Sequence, residues 1–168
     1  MAETSSHAGA PPKIFIDAFA GCGGLSLGLM RAGWTGLFAI EKDNFAFESL
    51  RANFLEKKAR HSYSWPKWLE QKAWSVEDLL KQHGSNLEKL RGRVTLLAGG
   101  PPCQGFSSAG RRRVADPRNK LVDKYLDLVR TLEPKIVLME NVLGITYDFK
   151  ARLRSYELLA GVCGLSPR

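Results

Sequence analysis

The sequence predicts an α/β fold in which a mostly parallel sheet is doubly wound, with helices on both of its faces. Short apolar runs, typical of strands buried on both sides, alternate along the chain with longer segments of helical spacing. Three distinctive sequences, DAFAGCGG, GGPPCQGFS and ENV, each follow directly on an apolar run. Because ligands bind beyond the carboxyl ends of parallel strands, we expect these sequences to converge on one crevice.

Composition points to one basic globular domain. The chain has 168 residues, of which 44% are hydrophobic, enough for a core of ordinary size. Its 25 Lys and Arg residues outnumber 17 Asp and Glu residues, which gives a formal net charge of +8. This charge favours a polyanionic partner such as nucleic acid, but many basic proteins bind no polyanion, so the motifs must decide.

Cysteine usage and hydropathy exclude several classes of protein. Cys22, Cys103 and Cys163 form no CxxC pair, so neither a disulfide framework nor a metal site is indicated. No run approaches the roughly 20 apolar residues of a membrane span, and the amino terminus lacks a leader pattern. We therefore expect a protein without membrane attachment, cytoplasmic or, in a eukaryote, nuclear. Residues 1–12 are expected to be a disordered lead-in, and residues 13–168 one domain.

In the first half of the chain, residues 14–16 and 36–40 predict strands. A helix between them is expected to stop at Gly33, and a second, amphipathic helix to run from residue 43 to about 58. Residues 57–72 show no clean period and are interpreted as an insertion or surface excursion. Core packing is the expected use of Trp65, Trp68 and Trp74, with base stacking as the alternative.

In the second half, residues 74–76 predict a short strand and residue 77 onward a helix towards His83. Residues 94–98 and 136–139 predict buried strands, and residues 116–132 and 148–159 predict helices. Two prolines after the strand at 94–98 cannot continue a helix or a central strand, so Cys103 is expected on a loop at a strand's carboxyl end.

The glycine-rich sequence that starts at Asp17 is expected to lie against a ligand. Glycines there permit positive φ and close approach to the backbone. A dinucleotide fingerprint would need a third glycine where Ser26 stands, so that pattern is incomplete. Glu41 ends the second strand about 20 residues on, where a carboxylate accepts hydrogen bonds from ribose hydroxyls. An adenosine cofactor is indicated; the alternative is a turn that only permits tight helix packing.

Cys103 and Glu140 are the candidate reactive groups. A thiolate on a constrained loop, with an arginine run just downstream, suits a nucleophile. Cys22 and Cys163 have no comparable setting and are expected to be buried structural thiols. Glu140 ends the strand at 136–139, and burial there would raise its pKa and suit it to donate a proton. A surface carboxylate is the alternative, and expected proximity to Cys103 argues against it.

Taken in order, DAFAGCGG, GGPPCQGFS, DPRNKL and ENV resemble the first, fourth, fifth and sixth motifs of the cytosine-C5 DNA methyltransferases. The glycine loop alone is generic to methyltransferases, whereas Pro-Pro-Cys-Gln together with Glu-Asn-Val is specific. The resemblance covers about residues 13–145 and implies a Rossmann-like, S-adenosylmethionine-dependent methyltransferase fold. It also implies double-stranded DNA as partner and, in bacteria, a restriction-modification system.

The resemblance implies S-adenosylmethionine as cofactor, with Phe19 and the glycine loop around its methionine part and Glu41 on its ribose. The position of the family's acidic adenine contact is Ser75 here, which is a departure from the pattern. The cofactor-binding residues so implied are Asp17, Phe19, Ala20, Gly21, Gly23, Gly24, Leu25, Glu41, Lys42, Ser75, Val76, Gly100, Pro101, Asn119 and Leu121.

The mechanism implied by the resemblance agrees with the chemistry of the residues. Cys103 attacks C6 of a flipped-out cytosine while Glu140, with Asn141 beside it, engages the ring, so that C5 takes the methyl group. Loss of the C5 proton then expels Cys103. The DNA-binding residues implied are Gln104, Ser107, Arg111, Arg112 and Arg113. A solvated loop is the alternative for the arginine run.

The family's Gln-x-Arg-x-Arg motif, target-recognition region and final segment do not occur before Arg168. We expect a truncated product or a fragment, slightly in preference to a split subunit completed by a second polypeptide. The strand at 136–139, apolar on both faces, is then expected near an open sheet edge. In each of these cases, the isolated chain could be inactive as a methyltransferase, and this is the alternative to an active chain.

Three rival functions stay open. A transfer-RNA cytosine-C5 methyltransferase shares the motifs, although Gly105-Phe106-Ser107 looks more like the DNA group. A non-catalytic homologue has little need of Cys103 together with Glu140. A dinucleotide-dependent oxidoreductase is disfavoured by Ser26 and by the Pro-Pro-Cys loop. Binding of S-adenosylmethionine rather than a nicotinamide separates the last from the others.

Overall fold

A computed structural model describes residues 13–102 and 120–140 of the chain. It contains a four-stranded parallel sheet in the order β2-β1-β3-β4. The strands are β1 (Ile14–Ala18), β2 (Thr35–Ile40), β3 (Leu96–Gly99) and β4 (Ile136–Met139). The helices are α1 (Gly24–Arg31), α2 (Asn44–Phe54), α3 (Val76–Glu88) and α4 (Lys120–Leu132). The parallel sheet with helices confirms the predicted fold class.

Two hydrophobic clusters cover opposite faces of the sheet, because successive strand residues point to opposite sides. Phe15 and Leu96 belong to one cluster, which α1 and α2 cover, and we call this side the α1 face. Ile16 and Leu97, the next residues along, belong to the other cluster, which α3 and α4 cover, and this is the α3 face. This two-sided burial is the reason why the strands are continuously apolar.

Helix boundaries differ from the prediction at two places. α2 ends at Phe54, short of residue 58, and Asp43 caps its start by accepting a hydrogen bond from the backbone N–H of Ala46 at 2.9 Å. α3 continues beyond His83, which has a non-helical φ of −125°, to Glu88. The helix was predicted to end near His83. Instead, a kink at His83 joins its first part to a second helical part.

The strand predicted at residues 74–76 is wrong. Ser75 caps α3, since its Oγ accepts a hydrogen bond from the backbone N–H of Asp78 at 3.0 Å. Val76 is consequently the first helical residue, although its β-branched side chain suggested a strand. A single backbone hydrogen bond, from Trp74 N to Glu41 O at 2.7 Å, is what ties this segment to the end of β2.

The segment at residues 55–75, which we call the aromatic segment, includes residues 57–72, which were expected to be an insertion or surface excursion. It is not a surface excursion, because part of it enters the core. Tyr63 and Leu69 are buried in it, and Trp65 and Trp68 pack against the core clusters. Indole N–H groups fix its path: Trp65 Nε1 donates to the Leu69 carbonyl at 2.8 Å, and Trp74 Nε1 to that of Glu70 at 3.0 Å. The expected core packing of the three tryptophans is confirmed.

β4 is an edge strand within the described part of the chain, where it pairs with β3 alone. Val137 and Met139 pack against the cluster on the α3 face. Ile136 and Leu138, on the α1 face, are 50% and 42% exposed. An apolar strand at an open edge was expected from the sequence, and it is present.

Across the residues that the model describes, no helix is both long enough and apolar enough to cross a membrane. The predicted lead-in at 1–12, the helix at 148–159 and the first residues of the helix at 116–132 lie outside the described residues.

Candidate active site

The turn after β1 is built from residues in left-handed conformation. Phe19, Gly21 and Gly23 have φ values of 59°, 56° and 92°. Gly23, the N-cap of α1, lies so close to the Phe54 ring that an added Cβ would come within 2.4 Å of it. Glycine is required there for both reasons, and the tight turn leaves backbone N–H groups at the start of α1 without helical partners.

Glu41 joins the carboxyl ends of β1 and β2. Its Oε2 accepts a hydrogen bond from the backbone N–H of Gly21 at 2.8 Å, and its Oε1 accepts one from that of Asp43, also at 2.8 Å. Each carboxylate oxygen has a second lone pair, so the side chain can still accept hydrogen bonds from a ligand. This is the arrangement that vicinal ribose hydroxyls need.

Beside Glu41 lies a pocket of about 180 Å³ with mostly apolar walls. Five of the predicted cofactor residues line it, namely Phe19, Lys42, Ser75, Val76 and Leu121. The pocket is also lined by four residues that the sequence reasoning missed, namely Ile40, Trp74, Glu77 and Lys124. Lys124 could have been found, because it lies one helical turn after Leu121. The pocket's size and its aromatic and aliphatic walls suit a flat heterocycle.

Ser75 is engaged at the mouth of this pocket. Its Oγ donates to Asp78 Oδ2 at 2.6 Å and accepts from the Asp78 backbone N–H, so its hydroxyl proton already has a partner. Glu77 is the carboxylate among the pocket-lining residues of the described chain. The acidic residue that the family resemblance implies at position 75 is therefore absent. The carboxylate of Glu77, two residues further on, lines the same pocket.

Asp17 lies beneath the glycine turn and not in the pocket. It is 1% exposed on the α1 face, and its neighbours in register are Ala39 and Ala98. Ser26 Oγ donates a hydrogen bond to its carboxylate. Burial raises the pKa of Asp17 to about 6; hydrogen bonds from the Ser26 hydroxyl and backbone N–H oppose this rise, and the charge of Glu41 adds to it.

Other predicted loop residues, Gly23 and Gly24, line a more open groove of about 730 Å³ along α1. Cys22 lines the same groove and is exposed, so the expectation of a buried thiol at this position is wrong. Its place in a turn between β1 and α1, outside both core clusters, is the reason. Ala20 is tied to β2 by a backbone hydrogen bond to Ile40 O at 3.1 Å, and Leu25 packs against the α1-face cluster.

At the other end of the crevice, Glu140 lies against the residues that lead into Cys103. Glu140 is exposed, so the burial expected at this strand end is wrong. The Glu140 backbone N–H donates to Gly99 O at 2.9 Å. A Cβ added to Gly100 would come within 2.8 Å of Glu140 Oε2, so glycine leaves the space that this carboxylate occupies. Pro101, buried, and Pro102 follow directly. Below them, the Tyr125 hydroxyl lies 2.9 Å from Leu97 O and 3.1 Å from Leu138 O.

Several predicted site residues lie outside the described residues. They are Cys103, Gln104, Ser107, Arg111, Arg112, Arg113, Asn119 and Asn141. In the described ranges, no group of three or more His, Cys, Asp or Glu side chains is arranged to hold a metal ion.

Comparison with known proteins places this site in a family. A family model for C-5 cytosine-specific DNA methylases matches residues 14–155, which include the glycine turn, the pocket, the Pro-Pro-Cys loop and Glu140. The chain belongs to the C-5 cytosine-specific DNA methylase family. Its parallel sheet with helices is the architecture that the family resemblance implied.

Similar proteins include the type II methyltransferase M.DdeI of Desulfomicrobium norvegicum, which is 38% identical over 141 residues, and M.AquIA of a Picosynechococcus species, which is 34% identical over 134 residues. These matches cover 84% and 79% of this chain, but 30% and 50% of the relatives. The matched part of the chain therefore spans 30% of the length of one relative and 50% of the other.

Solved structures agree with the fold. A DNA modification methyltransferase encoded within a prophage of E. coli is 33% identical, with a TM-score of 0.64 over 88% of this chain and 38% of that one. The Entamoeba histolytica methyltransferase EhMeth aligns with a TM-score of 0.59 over 90% of this chain and 44% of that one, at 21% identity. The second likeness shows the fold alone.

Proposed function

We propose that this chain is the cofactor-binding and catalytic portion of a DNA (cytosine-5-)-methyltransferase, which transfers a methyl group from S-adenosylmethionine to C5 of a flipped-out cytosine. The observation that carries the proposal is the position of Glu140 against Gly100, three residues before Cys103. The two candidate reactive groups thus belong to adjacent strand ends, in a family that methylates cytosine.

The described residues fit the proposed cofactor. A flat adenine suits the 180 Å³ pocket between Phe19, Val76 and Leu121, and the free lone pairs of Glu41 suit the ribose hydroxyls. The glycine turn leaves room for an extended methionine part, because the side of Gly21 on which a Cβ would project faces open space. When bound, the cofactor supplies an electrophilic methyl group.

The chain's own residues would perform the remaining chemistry. The Cys103 thiolate forms a bond to C6 of cytosine, and the electron pair displaced from the C5–C6 double bond makes C5 nucleophilic. Glu140 donates a proton or a hydrogen bond to N3, which neutralises the charge that reaches the ring. Once C5 carries the methyl group, loss of its proton restores the double bond and breaks the sulfur–carbon bond.

We propose double-stranded DNA as the substrate, with Gln104, Ser107 and Arg111 to Arg113 as its contacts and Asn141 beside Glu140. The net charge of +8 supports a polyanionic partner, and phosphate contacts would make binding fall steeply with salt. This role would place the chain in the bacterial cytoplasm, or in the nucleus of a eukaryote. A second polypeptide that supplies further family motifs stays a prediction.

Product analysis tests the proposal. The chain is incubated with methyl-labelled S-adenosylmethionine and either duplex DNA or transfer RNA, and the nucleic acid is digested to nucleosides. We expect the label in 5-methyldeoxycytidine, and no label with Cys103→Ser. Label in RNA alone would favour the transfer-RNA alternative, and label at the exocyclic nitrogen of cytosine would overturn the proposal. If no label is transferred, S-adenosylmethionine binding is measured. A chain that binds S-adenosylmethionine is an inactive portion of a methyltransferase, whereas a chain that does not bind it contradicts the proposal.

A further inference from the structure

The aromatic segment delivers one hydroxyl to the base of the glycine turn. Tyr63 is 7% exposed, and its ring contacts those of Phe15, Phe54 and Trp65, with centroids 6.2, 5.6 and 5.8 Å away. The Tyr63 ring is therefore held from three sides by edge-to-face and tilted packing. A phenylalanine would fill the same space, so the hydroxyl needs a separate explanation.

The Tyr63 hydroxyl forms a hydrogen bond with Ser26 Oγ, and Ser26 Oγ donates to Asp17 Oδ2. A serine hydroxyl has a single proton. Because that proton goes to Asp17, Tyr63 must donate its own to Ser26. The three side chains thus form a chain of hydrogen bonds, which we call the relay, in which each proton is donated in the direction from Tyr63 through Ser26 to Asp17. All three side chains are buried on the α1 face.

This relay ends where the cofactor turn begins. Asp17 is the last residue but one of β1, and Phe19, which lines the pocket, follows two residues later. Ser26 belongs to α1, which starts at the far end of the same turn. The relay therefore ties both ends of the turn to the aromatic segment.

We propose that Tyr63 is a positioning residue for cofactor binding: acting through Ser26, its hydroxyl holds Asp17 ionised and the glycine turn in its binding shape. The inference rests on the proposed use of S-adenosylmethionine. The cofactor carries a net positive charge, so an ionised Asp17 beneath the turn favours its binding.

The charge of Asp17 depends on the groups around it, including the relay. Glu41 is the neighbouring negative charge, and it opposes ionisation. Tyr63, and Tyr125 from the α3 face, are neutral, since burial raises the pKa of both hydroxyls. With the pKa of Asp17 already raised to about 6, loss of Tyr63's donation moves its titration further towards neutral pH.

The test is calorimetric titration of the chain with S-adenosylmethionine between pH 5 and 8.5. For the wild type we expect Kd to fall as pH rises through about 6. Tyr63→Phe, which keeps the ring, should raise Kd several-fold near pH 6, the order of one hydrogen bond between neutral groups, and much less at pH 7.5, where Asp17 is mostly ionised in both proteins. It should also shift the pH midpoint upward. Tyr125→Phe, which removes a buried hydroxyl on the other face, should lower the melting temperature but leave Kd and midpoint unchanged.

Two further measurements separate the relay from a packing effect and from the proposed function. Ser26→Ala should shift the midpoint upward at least as far as Tyr63→Phe, because it removes the hydroxyl that donates to Asp17 itself, and the double variant should add nothing beyond Ser26→Ala. The carboxyl ¹³C shift of Asp17 reports its titration without any cofactor. An unshifted midpoint in Tyr63→Phe would overturn the inference; a shifted midpoint in a chain that binds no S-adenosylmethionine would overturn the proposed cofactor instead.

Discussion

The Glu41 carboxylate accepts a hydrogen bond from the backbone N–H of Gly21, with an Oε2 to N distance of 2.8 Å, and so ties together two turns that are twenty residues apart. The same side chain accepts from the Asp43 N–H at 2.8 Å. Glu41 therefore organises the cofactor end of the crevice before any ligand is bound, which lowers the entropy cost of binding.

Glu41→Gln should weaken cofactor binding. Glutamine has one acceptor oxygen, so one of the two backbone N–H groups loses its partner, and the ribose loses a charged acceptor. We expect Kd for S-adenosylmethionine to rise at least tenfold, as for loss of a charge-assisted hydrogen bond. Calorimetry measures this change. Glu48→Gln, on the exposed side of α2, is the matched control and should leave Kd unchanged.

Position 75 offers a pair of variants that should differ in cofactor binding. Ser75→Ala removes the N-cap of α3 and should cost about 1 kcal/mol of unfolding free energy. Ser75→Asp keeps a capping oxygen but has no proton to donate to Asp78, so it should also be less stable than the wild type; it places a carboxylate at the mouth of the adenine-sized pocket. We expect tighter S-adenosylmethionine binding by Ser75→Asp than by Ser75→Ala. Equal affinities would contradict the position assigned to the adenine.

Asp17→Asn should stabilise the chain above pH 6. The pKa of Asp17 is raised from 3.8 in the unfolded chain to about 6, so the folded state prefers the protonated form. The stability that this preference contributes is present below about pH 4 and is lost as pH rises through about 6, a difference of about 3 kcal/mol. Asparagine keeps the oxygen that accepts from Ser26 but does not ionise.

Urea unfolding of both proteins between pH 4 and 8 checks this prediction. The unfolding free energy of Asp17→Asn minus that of the wild type should grow with pH and level off above about 6. A difference that is constant across this range would contradict the raised pKa. The same variant should bind S-adenosylmethionine more weakly, because the charge beneath the turn is gone.

The exposed side of β4 should promote self-association. Ile136 and Leu138 present apolar surface next to an edge whose backbone has no partner in the described residues. Leu138→Lys should reduce association, measured by size-exclusion chromatography with light scattering, with little loss of stability. Val137→Lys, one residue away on the face that packs against the core, should instead unfold the chain. Similar behaviour of the two variants would contradict the orientation of β4, in which Val137 faces the core and Leu138 is exposed.

Much of the fold was predictable because the strands and turns, and the order in which they follow along the chain, depend on local sequence patterns. Each of the four strands follows from a short apolar run, and Glu41 and Glu140 lie at strand ends as expected. The strand at 74–76 was wrongly predicted because a local competitor, the capping hydroxyl of Ser75, overrides the β propensity of Trp74 and Val76.

Other features have no local signal. The aromatic segment lacks a period because its side chains pack towards both faces of the sheet, as with Trp65, which contacts both clusters. Asp17, Ser26 and Tyr63 meet although 37 residues separate the last two, and such a long-range contact cannot be read from spacing. The pocket-lining role of Glu77 likewise depends on where the start of α3 lies relative to the end of β2, which sequence spacing does not give.

Covalent trapping tests whether Cys103 is the nucleophile that attacks cytosine. The chain, alone and with a carboxy-terminal portion of M.DdeI, is incubated with S-adenosylmethionine and duplex DNA that contains 5-fluorocytosine, whose C5 substituent cannot be lost. We predict a covalent protein–DNA adduct in at least one case, with the DNA joined to Cys103 and no adduct in Cys103→Ser. An adduct that persists in Cys103→Ser, or its absence in both cases while S-adenosylmethionine binds normally, would contradict the account.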